Sequence, residues 1–260
     1  MRAKSQLSPR FDSLRLRALA REELKQREEL RRLQGQTPVL TDNLDEDFLS
    51  PNRRNEGKFW IPPPLYWFWN YTKTFDEHWQ EAGKEPYRPM ERLPYLPWLF
   101  GLFLKEPTLF VAKSREMRAS WSIVAYAVWK CQFFPRTRVI IQSQKQDKAN
   151  ELVKGSGAPG YGRTLYEEQS EWLKRRCPLA ARMEDMPADR ITWANGSTLQ
   201  GVPAGADQIR LYHPAVYIAD EAAHMPEFQG CYDAASPVCT QILAVSSAAP
   251  SWFGDVCQSA

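Results

Sequence analysis

The sequence predicts an α/β fold in which helices flank a mostly parallel central sheet. Short runs rich in β-branched and aromatic residues, at residues 108–112, 139–143 and 215–219, alternate with longer segments of helical periodicity. Parallel neighbours in a sheet need such helical crossovers, and the helices then cover both faces. A further run at residues 241–245 adds a strand to the same sheet.

The segments between these runs predict the remaining elements. An amphipathic helix is expected over residues 119–134, and further helices over residues 146–154 and 165–176. Residues 190–202 predict a hairpin, because their central Asn-Gly pair is the strongest two-residue turn signal.

The composition bounds the class of protein. At 260 residues, 43% hydrophobic and 25% charged, the chain can form one large domain or two small ones. The net charge of +3 means that a DNA-binding surface would have to come from local clusters of basic residues. Five widely spaced cysteines without a C-x-x-C pair argue against disulfides and zinc, and favour a reducing cytoplasm. We find neither a signal peptide nor a membrane-spanning run.

The N-terminal region differs in character from the rest. Residues 9–34 combine Arg, Glu and Leu at helical spacing, which is typical of a solvated charged arm or of a helix that docks on a partner protein. Residues 35–57 look like a linker. We therefore expect a charged helical arm and linker over residues 1–57 and one α/β domain over residues 58–260.

The strand at residues 108–112 leads through a basic turn into a helix. The N-terminus of that helix aims free N–H groups and a positive dipole end at the turn, which Lys113, Arg115 and Arg118 surround. A phosphate-binding loop has this form, although Arg118 and Ala119 replace its usual glycine and lysine. The candidate ATP-binding residues are Lys113, Ser114, Arg115, Glu116, Met117, Arg118, Ala119 and Ser120. A basic turn with solvated side chains is the alternative.

A second candidate site follows the strand at residues 215–219. Asp220 and Glu221 stand at its C-terminal end, the edge at which α/β sheets bind their ligands. In a nucleotide motor Asp220 would help to hold Mg²⁺ through water, and Glu221 would polarise the attacking water. The two acids could instead be solvated or cap the next helix.

Two further segments bear on this interpretation. Ser246 and Ser247 follow the strand at residues 241–245, where small polar residues either sense a γ-phosphate or form an ordinary loop. The order of basic turn, Asp-Glu pair and serines is that of a RecA-like, additional-strand (ASCE) P-loop NTPase. The aromatic residues between 59 and 103 are expected to pack in the core, and some could stack on an adenine.

Five segments together carry a resemblance to one family. They are residues 113–121, 195–197, 207–210, 217–224 and 246–250. They resemble the ATPase motifs of large terminase subunits from tailed bacteriophages, over roughly residues 59–254. Terminases often displace the basic residue of the loop to its front, which would make Lys113 the phosphate-binding cation.

The resemblance implies roles for single residues. Ser120 would meet Mg²⁺, Asp220 would support it, and Glu221 would be the catalytic carboxylate. Ser246 and Ser247 would lie in the coupling motif.

Two arginines compete for the role of an arginine finger. By the family pattern Arg210 would reach the nucleotide of a neighbouring subunit, whereas Arg115 would act within its own chain.

The resemblance also implies a motor that hydrolyses ATP with Mg²⁺ to drive double-stranded DNA through a portal into an empty capsid. Its partners would be DNA, the portal protein and the small terminase subunit. It would form a homo-oligomeric ring on the portal, in the host cytoplasm and outside the mature virion. Terminases usually continue into a nuclease domain, so we expect a truncated or split form, without nuclease activity, from a sequence that ends at Ala260.

Two other readings stay open from the sequence. A non-catalytic assembly module could have lost phosphate binding together with the glycine and lysine of the loop, and another P-loop translocase or helicase could share the same motifs.

Residues that contact the DNA backbone would have to come from a local cluster of basic side chains. Local basic density after the second strand comes from Lys145, Lys148, Lys154, Arg163, Lys174, Arg175 and Arg176.

Overall fold

The structure, a computed structural model, describes residues 55–56, 59–76, 79–80, 83, 85–115 and 117–259. The predicted arm and linker over residues 1–57 lie outside this part of the chain, except for Asn55 and Glu56. The division of the chain at residue 58 therefore stays a prediction. Glu116 also lies outside the described residues.

Two small antiparallel sheets precede the main one. Strand β1 (Asn55–Glu56) pairs with β2 (Phe59–Trp60), and β3 (Thr74–Phe75) pairs with β4 (Tyr87–Arg88).

The central sheet has six strands. They are β5 (Thr108–Lys113), β6 (Arg138–Ser143), β7 (Arg190–Thr192), β8 (Thr198–Pro203), β9 (Val216–Asp220) and β10 (Gln241–Ser247). Their order is β5-β10-β9-β6-β8-β7, and every pair is parallel except β7 with β8. Strand β10 thus lies between β5 and β9 and is the additional strand that the sequence predicts. The predicted fold class is confirmed.

Helices cover both faces of this sheet. They are α1 (Pro63–Tyr71), α2 (Leu96–Lys105), α3 (Ala119–Phe133), α4 (Gln146–Leu152), α5 (Tyr161–Glu167), α6 (Glu171–Arg176), α7 (Ala206–Tyr212), α8 (Phe228–Ala235) and α9 (Trp252–Ser259). Successive residues of a strand point to opposite faces. Accordingly, Tyr217 joins the core beneath α7, α8 and α9, and Ile218 joins the core beneath α1, α2 and α3.

Helix α3 differs from its prediction because it is buried on nearly every side instead of being amphipathic. Only Ser120 and Lys130 are partly exposed. The aromatic-rich segment before β5 covers the helix: Trp67 of α1 packs on Phe133, and Phe103 of α2 packs on Tyr126. Trp67, Phe68, Phe100 and Phe103 of that segment are buried in the core, as expected, whereas Trp98 is 49% exposed.

The helix predicted over residues 165–176 is two helices, α5 and α6. Gln169 lies in the break, buried, and its amide exchanges hydrogen bonds of 2.8 and 3.1 Å with the buried amide of Gln132. Ser170 then has an extended backbone with ψ of 146°, and α6 begins after it. The hairpin prediction is confirmed, with Gly196 at φ of +84° in the turn between β7 and β8.

The five cysteines are free thiols in the structure. None of the helices in the described part of the chain is both long and apolar enough to span a membrane.

Candidate nucleotide site

Arg118, in the loop between β5 and α3, has a left-handed backbone conformation that is typical of glycine. Arg118 precedes the first residue of α3 and has φ of 49° and ψ of 19°, in the left-handed region. A residue with a Cβ adopts this conformation at a cost of about 1–2 kcal/mol, whereas glycine adopts it freely. Ser122 helps to hold this residue, since its Oγ donates a 3.0 Å hydrogen bond to the Arg118 carbonyl. Arg118 thus has the left-handed backbone conformation that glycine adopts most readily.

Tyr95 fixes the same loop from outside it. Its hydroxyl donates a hydrogen bond to the carbonyl of Met117, next to Arg118. Burial raises the pKa of Tyr95, and the nearby Arg118 charge partly opposes this effect. The sequence did not single out Tyr95, because it stands among many aromatic residues with the same apparent role in the core.

A cleft of about 940 Å³ opens beside the loop. Small-molecule sites have volumes of this order. The polar and basic lining consists of Lys113, Arg118, Ser120 and Lys148. The apolar lining consists of Phe75, Leu93, Met117, Trp121 and Tyr161, and the acidic lining of Glu91, Asp147 and Glu151. The glycine-rich segment 155–159 also lines the cleft. The cleft therefore combines basic, acidic and apolar side chains next to the loop.

Ser120, which lines the cleft, contacts Asp220 at the end of β9. Ser120 Oγ donates a 3.0 Å hydrogen bond to Asp220 Oδ1. Asp220 is buried, and this burial raises its pKa to about 6, with Glu221 adding to the rise and Ser120 and Lys113 opposing it. A hydroxyl and a carboxylate are the hard oxygen ligands that Mg²⁺ prefers. The described residues hold no group of three His, Cys, Asp or Glu side chains suited to a metal.

Lys113 and Glu221 form a second contact across the same edge. Lys113 Nζ lies 3.5 Å from Glu221 Oε1, and the side chains are 9% and 38% exposed, respectively. Glu221 has a left-handed backbone with φ of 57°, directly after the end of β9. The predicted phosphate-binding cation and the predicted catalytic carboxylate are therefore paired with each other.

Strand β10 is longer than the sequence indicates and brings its serines to this edge. Ser246 and Ser247 belong to the strand because they pair with Ala112 and Lys113 of β5, and do not begin a loop. Ser246 Oγ accepts a 3.0 Å hydrogen bond from the Ala223 N–H, and Ser247 Oγ donates a 3.3 Å bond to Glu221 Oε2. Both serines thus contact the turn that carries the Asp-Glu pair.

His224 joins this group, although the sequence gave it no role. Its Nε2 lies 3.0 Å from Ser247 Oγ and 3.6 Å from Glu221 Oε2. Its place four residues after Asp220 was visible in the sequence, but its contact with Ser247 depends on the pairing of β9 with β10.

The two candidate arginine fingers lie elsewhere. Arg115 and its neighbour Ser114 are exposed in the loop and are not among the residues lining the cleft. Arg210 is 65% exposed and forms a 2.9 Å ion pair with Asp207. The carbonyl of Tyr212, at the end of the same helix, accepts a hydrogen bond from Arg138 at the start of β6. Arg138 begins β6, whereas Lys113 ends β5, and the two strands run in the same direction. Arg210 therefore lies towards the N-terminal ends of the parallel strands, and the cleft lies at their C-terminal ends.

The predicted basic cluster is largely engaged within the chain. Lys154 is buried and donates to the carbonyls of Glu184 and Met186. Three more form ion pairs: Lys148 with Glu151 at 2.8 Å, Arg163 with Glu167 at 2.8 Å and Lys174 with Glu171 at 2.7 Å. Lys145, Arg175 and Arg176 are exposed. The basic surface is therefore smaller than the sequence indicated.

Comparison with known proteins yields structures but no sequence family. No protein-family model matches the chain, and no curated protein matches it in sequence. Among solved structures, the HK97 bacteriophage large terminase aligns over 62% of this chain and 34% of its own, with 9% identity and a TM-score of 0.46. The ATPase domain of the Thermus phage P74-26 large terminase aligns over 70% of this chain and 72% of its own, with 16% identity and a TM-score of 0.39.

These structural neighbours are large terminases. A mutant of the P74-26 domain gives the same result, with 15% identity, 70% and 73% coverage and a TM-score of 0.39. The chain spans about a third of the HK97 protein, with 34% of it covered. At these identities and TM-scores the likeness concerns the fold alone.

Proposed function

We propose that this chain is an ATP-hydrolysing motor domain of the terminase type. One observation carries the proposal: at the C-terminal ends of the strands, the two residues that flank the loop between β5 and α3 meet the acidic pair at the end of β9 through the contacts Lys113–Glu221 and Ser120–Asp220. A P-loop NTPase needs this juxtaposition, because one group of residues binds the phosphates and the other activates water.

Different residues of the site would bind the phosphates, hold Mg²⁺ and orient the attacking water. The N–H groups at the start of α3 and the Lys113 ammonium would bind the phosphates of ATP where the loop lines the cleft. Ser120 and Asp220 would hold Mg²⁺, which neutralises charge on the phosphate oxygens when it is bound. Glu221 would accept a hydrogen bond from the attacking water and orient it towards the γ-phosphate.

The Lys113–Glu221 pair gives this scheme an order of events. Glu221 Oε1 lies 3.5 Å from the Lys113 ammonium, and this contact competes with a hydrogen bond from the attacking water. A triphosphate is a stronger attractor for an ammonium than one carboxylate that is 38% exposed. Binding of ATP would therefore draw Lys113 away and release Oε1 for water.

The motor function extends the proposal beyond this chain's own site. Double-stranded DNA would be moved through a portal into an empty capsid, with the portal protein and the small terminase subunit as partners and with several copies of the chain in a ring. Arg175 and Arg176, exposed at the end of α6, are the candidates for contacts to the DNA backbone. The ring would form in the host cytoplasm.

Glu221→Gln tests the enzymatic part of the proposal. The amide keeps the size of the side chain but accepts a proton poorly, so we expect ATP binding to persist and hydrolysis to fall by about 10²–10⁴-fold. Binding is measured by calorimetry with Mg²⁺, and turnover by phosphate release. Glu227→Gln, an exposed glutamate six residues further on, is the matched control and should leave both unchanged.

A non-catalytic docking module is the second candidate, and the replacement of the loop glycine and lysine by Arg118 and Ala119 favours it. Such a module would have equal behaviour in the wild type and in Glu221→Gln, with no phosphate release from either. That result, obtained with folded protein and with DNA and portal present, would overturn the motor proposal.

A further inference from the structure

Three side chains form a continuous hydrogen-bonded row at the edge of the sheet. His224 Nε2 lies 3.0 Å from Ser247 Oγ, and Ser247 Oγ lies 3.3 Å from Glu221 Oε2. Ser247 is the last residue of β10, and the other two belong to the turn after β9. The row therefore joins two different strands at the carboxylate expected to activate water.

The chemistry of these groups fixes the direction of the row. An ionised carboxylate has no proton to donate, so the bond between Ser247 and Glu221 uses the single hydroxyl proton of the serine. Ser247 Oγ can then only accept from His224, because it has no second proton. The neutral imidazole must accordingly carry its proton on Nε2. The direction runs from His224 through Ser247 to Glu221.

The backbone around His224 is held independently of its ring. The His224 N–H donates to the Glu221 carbonyl at 2.9 Å, Gln144 Nε2 donates to the His224 carbonyl at 3.2 Å, and Ser246 supports Ala223. The ring itself is 42% exposed, so replacing it opens no buried cavity. Its one described role is the contact with Ser247 and Glu221.

We propose that His224 is a positioning residue that holds the catalytic carboxylate through Ser247. The inference rests on the proposed ATPase function. When ATP draws Lys113 away, Glu221 loses the partner of its Oε1 and retains only the bond to its Oε2. A carboxylate that is 38% exposed would then sample several rotamers, and the row from His224 keeps one of them. Oε1 stays aimed at the position of the water.

The first test reads the direction of the row without any hydrolysis. The chain has three histidines, His78, His213 and His224, so ¹⁵N-histidine labelling gives a spectrum that His224→Gln assigns. In mildly alkaline buffer we expect the Nε2–H tautomer of His224 in the wild type and a mixture of tautomers in Ser247→Ala. A dominant Nδ1–H form in the wild type would overturn the inference.

The second test measures the effect on catalysis. We expect His224→Leu to lower kcat about tenfold or more with unchanged ATP affinity, because orientation of the base and not binding is affected. His224→Gln, whose amide can donate to Ser247, should recover most of the rate. His213→Leu, a change at another exposed histidine, is the control.

Non-additivity identifies Ser247 as the intermediary. The double variant His224→Leu with Ser247→Ala should be no slower than Ser247→Ala alone. If His224→Leu keeps the wild-type kcat while the wild type hydrolyses ATP, this inference fails and the proposed function stands. If the wild type binds ATP and does not hydrolyse it even with DNA and portal present, the proposed function fails, and the catalytic role of His224 fails with it.

Discussion

The ammonium of Lys113 lies 3.5 Å from Glu221 Oε1, so two groups expected to act on ATP neutralise each other in this structure. Lys113 ends β5 and Glu221 follows β9, and these strands are not neighbours because β10 lies between them. The contact spans the end of β10. Any ligand that competes for Lys113 therefore also changes the surroundings of Glu221.

Replacing Lys113 by alanine should weaken ATP binding. A charge-assisted hydrogen bond contributes about 1.5–3 kcal/mol, which corresponds to about ten- to a hundredfold in affinity. Calorimetric titration with ATP and Mg²⁺ measures it, and Lys73→Ala, which removes a lysine paired with Glu168, is the control. An affinity unchanged by Lys113→Ala would exclude this lysine as the phosphate contact and direct attention to Arg118.

Arg118→Gly should leave the fold as stable as before or more stable. Glycine removes the cost of about 1–2 kcal/mol for a left-handed residue, against about 0.5–1 kcal/mol for its greater freedom in the unfolded chain. The free energy of unfolding from denaturant titration is the readout. Arg115→Gly, in the same loop but without positive φ, should not gain stability. A loss above about 1 kcal/mol for Arg118→Gly would mean that the arginine side chain stabilises the loop.

The metal-free chain should lose stability as the pH rises through the range in which Asp220 ionises. Its pKa in the folded chain is about 6, above the ordinary 3.8, because burial disfavours the charged form. The folded state thus binds the proton more tightly, and this stabilisation is complete below pH 4 and disappears as the pH passes 6, by an amount on the order of 3 kcal/mol. Denaturant titrations in chelator at several pH values measure it.

Asp220→Asn supplies the comparison for this pH dependence. The amide does not ionise, so the variant should lack the decline and should be more stable than the metal-free wild type at neutral pH. Added Mg²⁺ should stabilise the wild type alone. Asp255→Asn, at an exposed site, is the control. Parallel pH profiles for wild type and Asp220→Asn would contradict the assignment.

Arg210→Ala should have an effect only in an assembled ring. Within its own chain Arg210 pairs with Asp207 and lies away from the cleft, so ATP binding by the isolated chain should not change. If it serves as a finger in the next subunit, ATP turnover on the portal should fall by about 10³-fold or more. Arg182→Ala, which breaks an equivalent exposed pair with Asp185, is the matched control. Equal turnover of the two variants in the ring would exclude Arg210 and leave Arg115 as the candidate.

The sequence predicted those features that depend on a short local pattern. The strand, basic turn and helix around Lys113 and Ser120 follow from residue types within one segment, as does the Asp-Glu strand end. The contacts of Tyr95 with Met117 and of His224 with Ser247 join residues 22 and 23 positions apart. No periodicity within either segment predicts these two contacts.

The errors have the same physical origin. The break between α5 and α6 depends on the buried pairing of Gln169 with Gln132, and the extension of β10 to Ser247 depends on hydrogen bonding to β5. The sequence predicted an amphipathic α3 because the helix contains polar residues such as Ser122 and Gln132. In the structure these side chains are buried and form hydrogen bonds inside the protein. In each case the outcome depended on contacts with residues that are distant in the sequence.

The position of β10 sets the width of the gap between the C-terminal ends of β5 and β9, where phosphates are proposed to bind. Neighbouring strands lie about 4.8 Å apart, so the ends of β5 and β9 are separated by roughly 9–10 Å. If the two strands were adjacent, Lys113 would stand directly against the acidic pair and leave no gap for a phosphate group. With β10 between them, Ser247 lies between the two strand ends, and the long Lys113 side chain spans the gap to reach Glu221.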